Sequence, residues 1–249
     1  MVITNERDRR NLTIACRIVA ETLQALRSII GQGVTTKELD LFAEEFIRSK
    51  GGVPAFKGYR GYPANICTSL NDQVVHGIPS SSTRLSDGDI ISIDLGVVFE
   101  GLIGDAAVTY PVGALSPLAS RLIAVTEESL WQGIGQALAG KRVSDISAAI
   151  QSTVESNGFS VVRAFVGHGV GKSLHEEPQI PNYVVRQGNT VLKKGMVLAL
   201  EPMVNAGGYE VYVQKDGWTA VTADRSLSAH FEHTVLVGER EAEVLTKLK

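Results

Sequence analysis

The sequence predicts an α+β fold of two repeated halves, whose antiparallel strands join into one curved sheet with helices on its outer face. Three observations predict it. Residues 85–94 (LSDGDIISID) and 192–201 (LKKGMVLALE) share the pattern Leu-x-x-Gly-x-[Ile/Val]-[Ile/Leu]-x-[Ile/Leu]-acid. Upstream, residues 31–35 and 140–144 share Gly-x-x-Val-[Thr/Ser], each just before a helical pattern. Both shared strands end in a carboxylate, Asp94 in one and Glu201 in the other. The expected organisation is a single domain over residues 1–249, with halves at about 5–113 and 116–249. Short apolar strands also resemble one another by chance, so the repeat stands on its two matches being in register.

The elements follow in order. Residues 6–30 carry Leu12, Ala15, Ile18, Val19, Leu23, Leu26 and Ile30 at helical spacing, and Gly31 and Gly33 stop the run. Thr35 opens a second helix with Glu38 three residues on, the pattern of a capping box, and Gly51–Gly52 end it. Residues 53–87 are rich in Gly, Pro, Asn and Ser and read as loops around one or two short strands. Residues 89–98 form a buried strand, Glu100–Gly101 a two-residue turn, and residues 102–112 the return strand. Ser116–Pro117 starts a helix that runs to about Leu138, with Gly133 and Gly135 as weak points. Ser144 is expected to cap a further helix to about Asn157. Strands are then expected at 161–165, 191–192, 196–204, 218–222 and 231–237.

Composition narrows the function. With 249 residues, 24 Lys plus Arg and 27 Asp plus Glu, the formal net charge is −3. A mildly acidic chain is a poor general nucleic-acid binder, which needs a basic surface to release counterions. At 44% hydrophobic and 20% charged residues it is an ordinary globular sequence. No apolar run has the ~18 residues of a membrane helix. Residues 1–10 are charged and lack an apolar signal core. Cys16 and Cys67 form neither a disulfide framework nor a CxxC zinc motif. These features suit the cytoplasm.

The chemistry lies in acids placed on apolar strands. A two-residue turn at 100–101 makes the numbers of opposed residues sum to 201, so Asp94 faces Ala107 and Asp105 is its diagonal neighbour on the same face. Diagonal Cα atoms lie ~7–8 Å apart. Two such carboxylates repel unless they share a proton, meet a cationic side chain or hold a metal. Glu201 within MVLALEPMV and Glu232 within AHFEHTVLV repeat the pattern. Four acids on four apolar strands fit a pair of divalent cations better than four separate hydrogen-bonded carboxylates. Imidazole comes from His168 and His175 in GHGVGKSLHEEP, and from His76 in HGIP, although a single His is more often a surface or core residue. The glycine-rich GHGVG lacks the Lys-Ser/Thr of a phosphate loop, and no Gly-x-Ser-x-Gly elbow occurs.

Together, NDQVVHGIP (71–79), Asp94 and Asp105 eleven apart, GHGVG…HEEP (167–178), Glu201-Pro202 and FEHT (231–234) resemble the type I methionine aminopeptidases, in order and spacing, over about residues 5–240. The resemblance is to the short bacterial form. It implies the duplicated "pita-bread" fold and a metal-dependent aminopeptidase that removes N-terminal methionine before a small second residue. It implies that Asp94, Asp105, His168, Glu201 and Glu232 hold two divalent ions of Co, Mn, Fe or Zn. Asp105 and Glu232 would bridge both ions. Asp94 would bind the first, and His168 with Glu201 the second. A hydroxide held between the ions would attack the peptide carbonyl. Glu201 would also shuttle a proton, and His175 and His76 would bind the substrate and assist catalysis. Tyr59, Tyr62, Cys67 and Trp218, with Phe56 and Leu174 nearby, would line the methionine pocket. The partners implied are a peptide or nascent-protein N-terminus, met by a monomer near the ribosome exit region.

This chain departs from the family pattern at three places. His230 stands where Gln is usual, Ile103 where a polar residue is common, and Leu174 where Phe is frequent. Proline-specific aminopeptidases and dipeptidases of the same fold, and metal-free binding relatives, are the competing readings. The former usually carry an extra N-terminal domain, and the latter lose ligands.

Overall fold

The computed structural model describes residues 1–185 and 189–248. Two helices open the chain, α1 (Glu6–Arg27) and α2 (Thr36–Ser49). At the first, Asn5 accepts the Asp8 N–H at 2.8 Å. The second starts as read from sequence, since Thr35 Oγ1 accepts the Glu38 N–H and Glu38 Oε2 accepts the Thr35 N–H. α1 ends three residues before the expected Ile30, because the Ser28 N–H turns back onto Ala25 O.

Three short strands lie in the loop-rich stretch: β1 (Val53–Pro54), β2 (Cys67–Leu70) and β3 (Gln73–Val75). The long hairpin follows as β4 (Ile90–Phe99) and β5 (Leu102–Pro111), and Asp94 pairs with Ala107 as the turn arithmetic requires. Glu100 and Gly101 both take left-handed φ, +48° and +78°, the conformation such a turn demands.

α3 (Pro117–Ile134) stops short of Leu138, at the weak point between Gly133 and Gly135. α4 (Val143–Ser156) begins two residues earlier than a Ser144 cap allows. Asp145 Oδ2 accepts the Arg142 N–H at 2.7 Å, and Asn189 Oδ1, from a distant loop, accepts the Ser144 N–H at 3.0 Å. Ser144 is therefore capped rather than capping.

The remaining strands are β6 (Ser160–Val161), β7 (Gly167–Gly169), β8 (Glu176–Ile180), β9 (Val197–Leu200), β10 (Met203–Asn205), β11 (Val211–Val213), β12 (Ala220–Thr222), β13 (Ser228–His230), β14 (His233–Leu236) and β15 (Glu243–Val244). Those expected from the sequence are shorter, and β7, β8, β11, β13 and β15 are additional to the expected set. The strand expected at 191–192 is only a bridge from Val191 to Arg142. The strand expected at 196–204 breaks at Glu201–Pro202, where proline has no N–H to donate. The strand expected at 231–237 starts late, after a break at Phe231–Glu232.

Among the described residues these strands form four antiparallel sheets, the two largest being β1-β4-β2 with β5, and β15-β14-β9-β7-β8. They meet where Ala107 of β5 exchanges backbone hydrogen bonds with Glu232, Glu232 N–H to Ala107 O at 2.8 Å and Ala107 N–H to Glu232 O at 3.4 Å. This seam makes the sheet surface continuous from β2 to β8, with helices outside.

Strand alternation sorts the side chains. On β4, Ile91, Ile93, Leu95 and Val97 pack under α1 and α2 with Ile18, Leu26, Leu39 and Ile47. On β9 and β14, Leu198, Leu200 and Val235 pack under α3 and α4 with Leu122, Ile146 and Ile150. Burying each such aliphatic chain stabilises by roughly 1.5–3 kcal/mol. The intervening positions, Asp94 among them, face the inner surface. No helix among the described residues is long and apolar enough to cross a membrane.

Gly104 shows how closely α1 sits on β5. A Cβ there would lie 2.7 Å from Cys16 N and 2.8 Å from Cys16 Cα, helix backbone that cannot step aside. Gly104→Ala is expected to cost about 1–3 kcal/mol by overpacking. At this chain length that is a fall in Tm of roughly 2–4 °C per kcal/mol, read by thermal denaturation.

Candidate metal and substrate site

The seam brings the predicted acids together. Asp105 and Glu232 are almost wholly buried. Thr234 ties β14 to β5 beside them: its hydroxyl donates to Asp105 O at 2.7 Å and accepts the Asp105 N–H at 3.0 Å. His168 on β7 stands opposite Ala199 of β9, and Glu201 follows two residues on, past the end of that strand. Asp105, His168 and Glu232 offer ligand atoms within 4.8 Å of one another. Glu201 Oε1 lies 3.3 Å from His168 Nε2. Asp94 is diagonal to Asp105 across the hairpin.

The electrostatics are those of crowded buried acids. Burial pushes the Asp94 carboxyl up to about 7. Burial, then the charge of Asp94, raises Asp105 well above the usual carboxylate range. Burial raises Glu201 and Glu232 likewise, with the neighbouring acids adding to it. Burial lowers His168 to about 4, so its ring is neutral at physiological pH.

These residues fit divalent metal on three counts. Asp94 Oδ1, Asp105 Oδ1 and Glu232 Oε1 are buried without a hydrogen-bond partner, which is costly for an oxygen that nothing else satisfies. The His168 Nδ1 position lies 2.9 Å from Gly169 O, which takes its proton and leaves the Nε2 lone pair facing the acids. Carboxylates with one imidazole form a donor set for first-row divalent ions.

A cavity of 310 Å³ opens onto the acids. Phe56, Tyr59, Tyr62, Cys67, His76, Leu174, His175 and Trp218 all line it, together with all five proposed ligands. Tyr62 packs edge-on against Trp218 and spends its hydroxyl on Gly77 O at 2.9 Å, leaving its ring as wall. Cys67 pairs with Asp94 across β2 and β4, and burial keeps its thiol protonated. His76 follows β3 with φ +61°, and its ring meets Phe165 and Trp218 edge-on. Burial lowers His76 to about 4. His175 is more exposed, and burial followed by the Arg60 charge lowers it too.

Sequence reasoning missed Arg60, Val75, Ala164, Phe165 and Val166 in the cavity wall. Phe165 reads as a core residue in an expected strand, and only its contact with His76 reveals it. Of the three departures, Leu174 lines the cavity and Ile103 does not. His230 is fully buried, with Nε2 unpartnered and 3.8 Å from Glu201 Oε2.

Comparison with known proteins agrees with this geometry. Residues 10–239 match the model of "Metallopeptidase family M24". The chain is 53% identical over 234 residues to "Methionine aminopeptidase 1" of Bacillus subtilis, covering 94% of each. It is 48% identical over 246 residues to "Methionine aminopeptidase" of Clostridium acetobutylicum, covering 99% of this chain and 98% of the relative. Among solved structures, a methionine aminopeptidase from Thermotoga maritima superposes with TM-score 0.97 at 46% identity, covering both chains fully. A prolidase from Pyrococcus furiosus shares the fold, with TM-score 0.80 at 24% identity, over 66% of its own length. The arrangement of elements is thus the pita-bread fold. With a family match across nearly its whole length, and buried acids that fit divalent metal, the chain belongs to metallopeptidase family M24.

Proposed function

We propose that this chain is a methionyl aminopeptidase that removes N-terminal methionine from peptides and nascent proteins with a small second residue. One observation carries the reading: a cavity of 310 Å³ walled largely by aromatic and apolar side chains ends on the cluster of buried acids. In the proposed assignment Asp94, Asp105, His168, Glu201 and Glu232 would hold two divalent ions. Bound there, the ions supply Lewis acidity and bring a water molecule to nucleophilic strength near neutral pH.

The chain's own residues do the rest. Phe56, Tyr59, Tyr62, Cys67, Leu174 and Trp218 take the methionine side chain and exclude water. The polarizable Cys67 sulfur suits a thioether. Glu201, whose carboxyl burial raises, accepts a proton from the attacking water and returns it to the leaving amine. His175 donates to the carbonyl oxygen as negative charge develops on it. His76, fixed between Phe165 and Trp218, orients the peptide and donates on the leaving-group side. Both cysteines are free thiols, which supports work in the cytoplasm, where nascent chains carrying N-terminal methionine leave the ribosome. A monomer is sufficient, since one chain lines the whole cavity. We also read residues 5–113 and 116–249 as repeated halves, supported by a helix pair in each and by Asp94 on β4 and Glu201 directly after β9.

The test is release of methionine from Met-Ala-Ser in metal-free buffer, with Mn, Fe, Co or Zn titrated back. Metal-dependent release is expected, with no cleavage of Ala-Pro peptides. Cleavage before proline would instead place the chain with the prolidases, and inactivity with every metal would favour a binding role.

A further inference from the structure

Tyr59 does more than close the cavity wall. It begins the tight turn Tyr59–Gly61, which is held by Tyr59 N–H to Phe56 O at 2.9 Å and Gly58 N–H to Tyr62 O at 2.8 Å. Its ring stacks on the His175 imidazole, with centroids 5.3 Å apart and planes 26° apart. Its hydroxyl lies 2.8 Å from His175 Nδ1. The Arg60 guanidinium sits over the same ring, 5.4 Å from its centroid. That cation draws electron density from the ring and favours a hydroxyl that donates. The imidazole also lies beside the His168 ring, 4.2 Å away by centroid.

A neutral imidazole carries one N–H, so a bond at one nitrogen decides the state of the other. If Nδ1 accepts from the phenol, the proton is on Nε2. Stabilising an oxyanion needs a preorganised donor on the cavity side. Acceptance at Nδ1 is the only arrangement of a neutral ring that supplies one there.

We infer that Tyr59 is a positioning residue, whose hydroxyl donates to His175 Nδ1, holds the imidazole in its Nε2–H tautomer and aims that N–H at the scissile carbonyl oxygen. The inference rests on the reading of the cavity given above.

Tyr59→Phe tests it, because the ring, its stack on His175 and its place in the wall are kept. With Met-Ala-Ser and saturating metal, kcat should fall on the order of tenfold, part of the 10²–10³ that loss of a whole oxyanion donor costs. KM should stay near its original value. A second readout does not depend on turnover. In ¹⁵N spectra of the zinc-loaded protein, with His175 assigned by its loss in His175→Gln, the ring should be a single Nε2–H tautomer. In Tyr59→Phe it should be a mixture of tautomers. An unchanged kcat, a rise in KM alone, or an Nδ1–H tautomer in the original chain would overturn the inference. If the original chain releases no methionine with any metal, the proposed function fails, while the spectra still show whether Tyr59 sets the tautomer.

Discussion

Glu232→Gln is expected to lower kcat for methionine release by roughly 10³-fold, while raising the melting temperature of the metal-free protein. Both effects have one cause. Glu232 is 2% exposed and lies among Asp94, Asp105 and Glu201, each of which raises its carboxyl further after burial has done so. Ionising it there without metal costs both desolvation and like-charge repulsion. The amide keeps the shape and the backbone bonds to Ala107, because those use main-chain atoms. Replacing the titratable group by an amide removes that cost, so the metal-free protein should melt a few degrees higher, at roughly 2–4 °C per kcal/mol. The amide also removes an anionic donor to the proposed ions. Metal titration calorimetry, turnover and thermal denaturation read the three consequences. An amide variant that kept full turnover would end the assignment of Glu232.

The second large effect is a reversal of pH dependence on metal loading. Asp94 at about 7, and three further acids raised above their usual range, bind protons in the fold that the unfolded chain has released by pH 5. Groups whose carboxyl is raised on folding give stability that is complete below the unfolded value and is lost as pH climbs through the folded one. Histidines act in the opposite direction at lower pH. His76, His168 and His233 are lowered to about 4 and His230 to about 3, so folding gains stability up to the ordinary imidazole value near 6.5 and is level beyond it. From about pH 7.5, where the unfolded imidazoles have lost nearly all their protons, to about pH 8.5 the carboxylates dominate the slope. Over that window the Tm of chelator-treated protein should fall. With manganese it should stay level or rise, because metal replaces the protons and binds more tightly as they leave. At a free metal concentration of 100 times Kd the gain is about 2.7 kcal/mol. Parallel falls with and without metal would show that these acids do not hold it.

Local rules made much of this legible. The Glu100–Gly101 turn set the β4–β5 register residue by residue, and that register placed Asp94 and Asp105 on one face. Thr35 and Glu38 announced the start of α2. What stayed hidden depends on partners far away in sequence. α4 begins before Ser144 because Asn189 reaches it across 45 residues. The break before Glu232 reflects its pairing with Ala107, 125 positions earlier, and no strand pattern announces that. Pro202 was the readable half of the problem, since proline ends a ladder on its own account. Arg60 was missed because it reaches the cavity from a left-handed turn, φ +49°, which no periodicity describes.

The seam between β5 and Glu232 carries a last consequence. Its two halves of chain contribute the acids in turn, Asp94 and Asp105 from one side, Glu201 and Glu232 from the other. Neither side holds the full set. In the proposed assignment, a chain still emerging lacks part of the acid set. The metal site is thereby completed only when both halves of the chain have folded against each other.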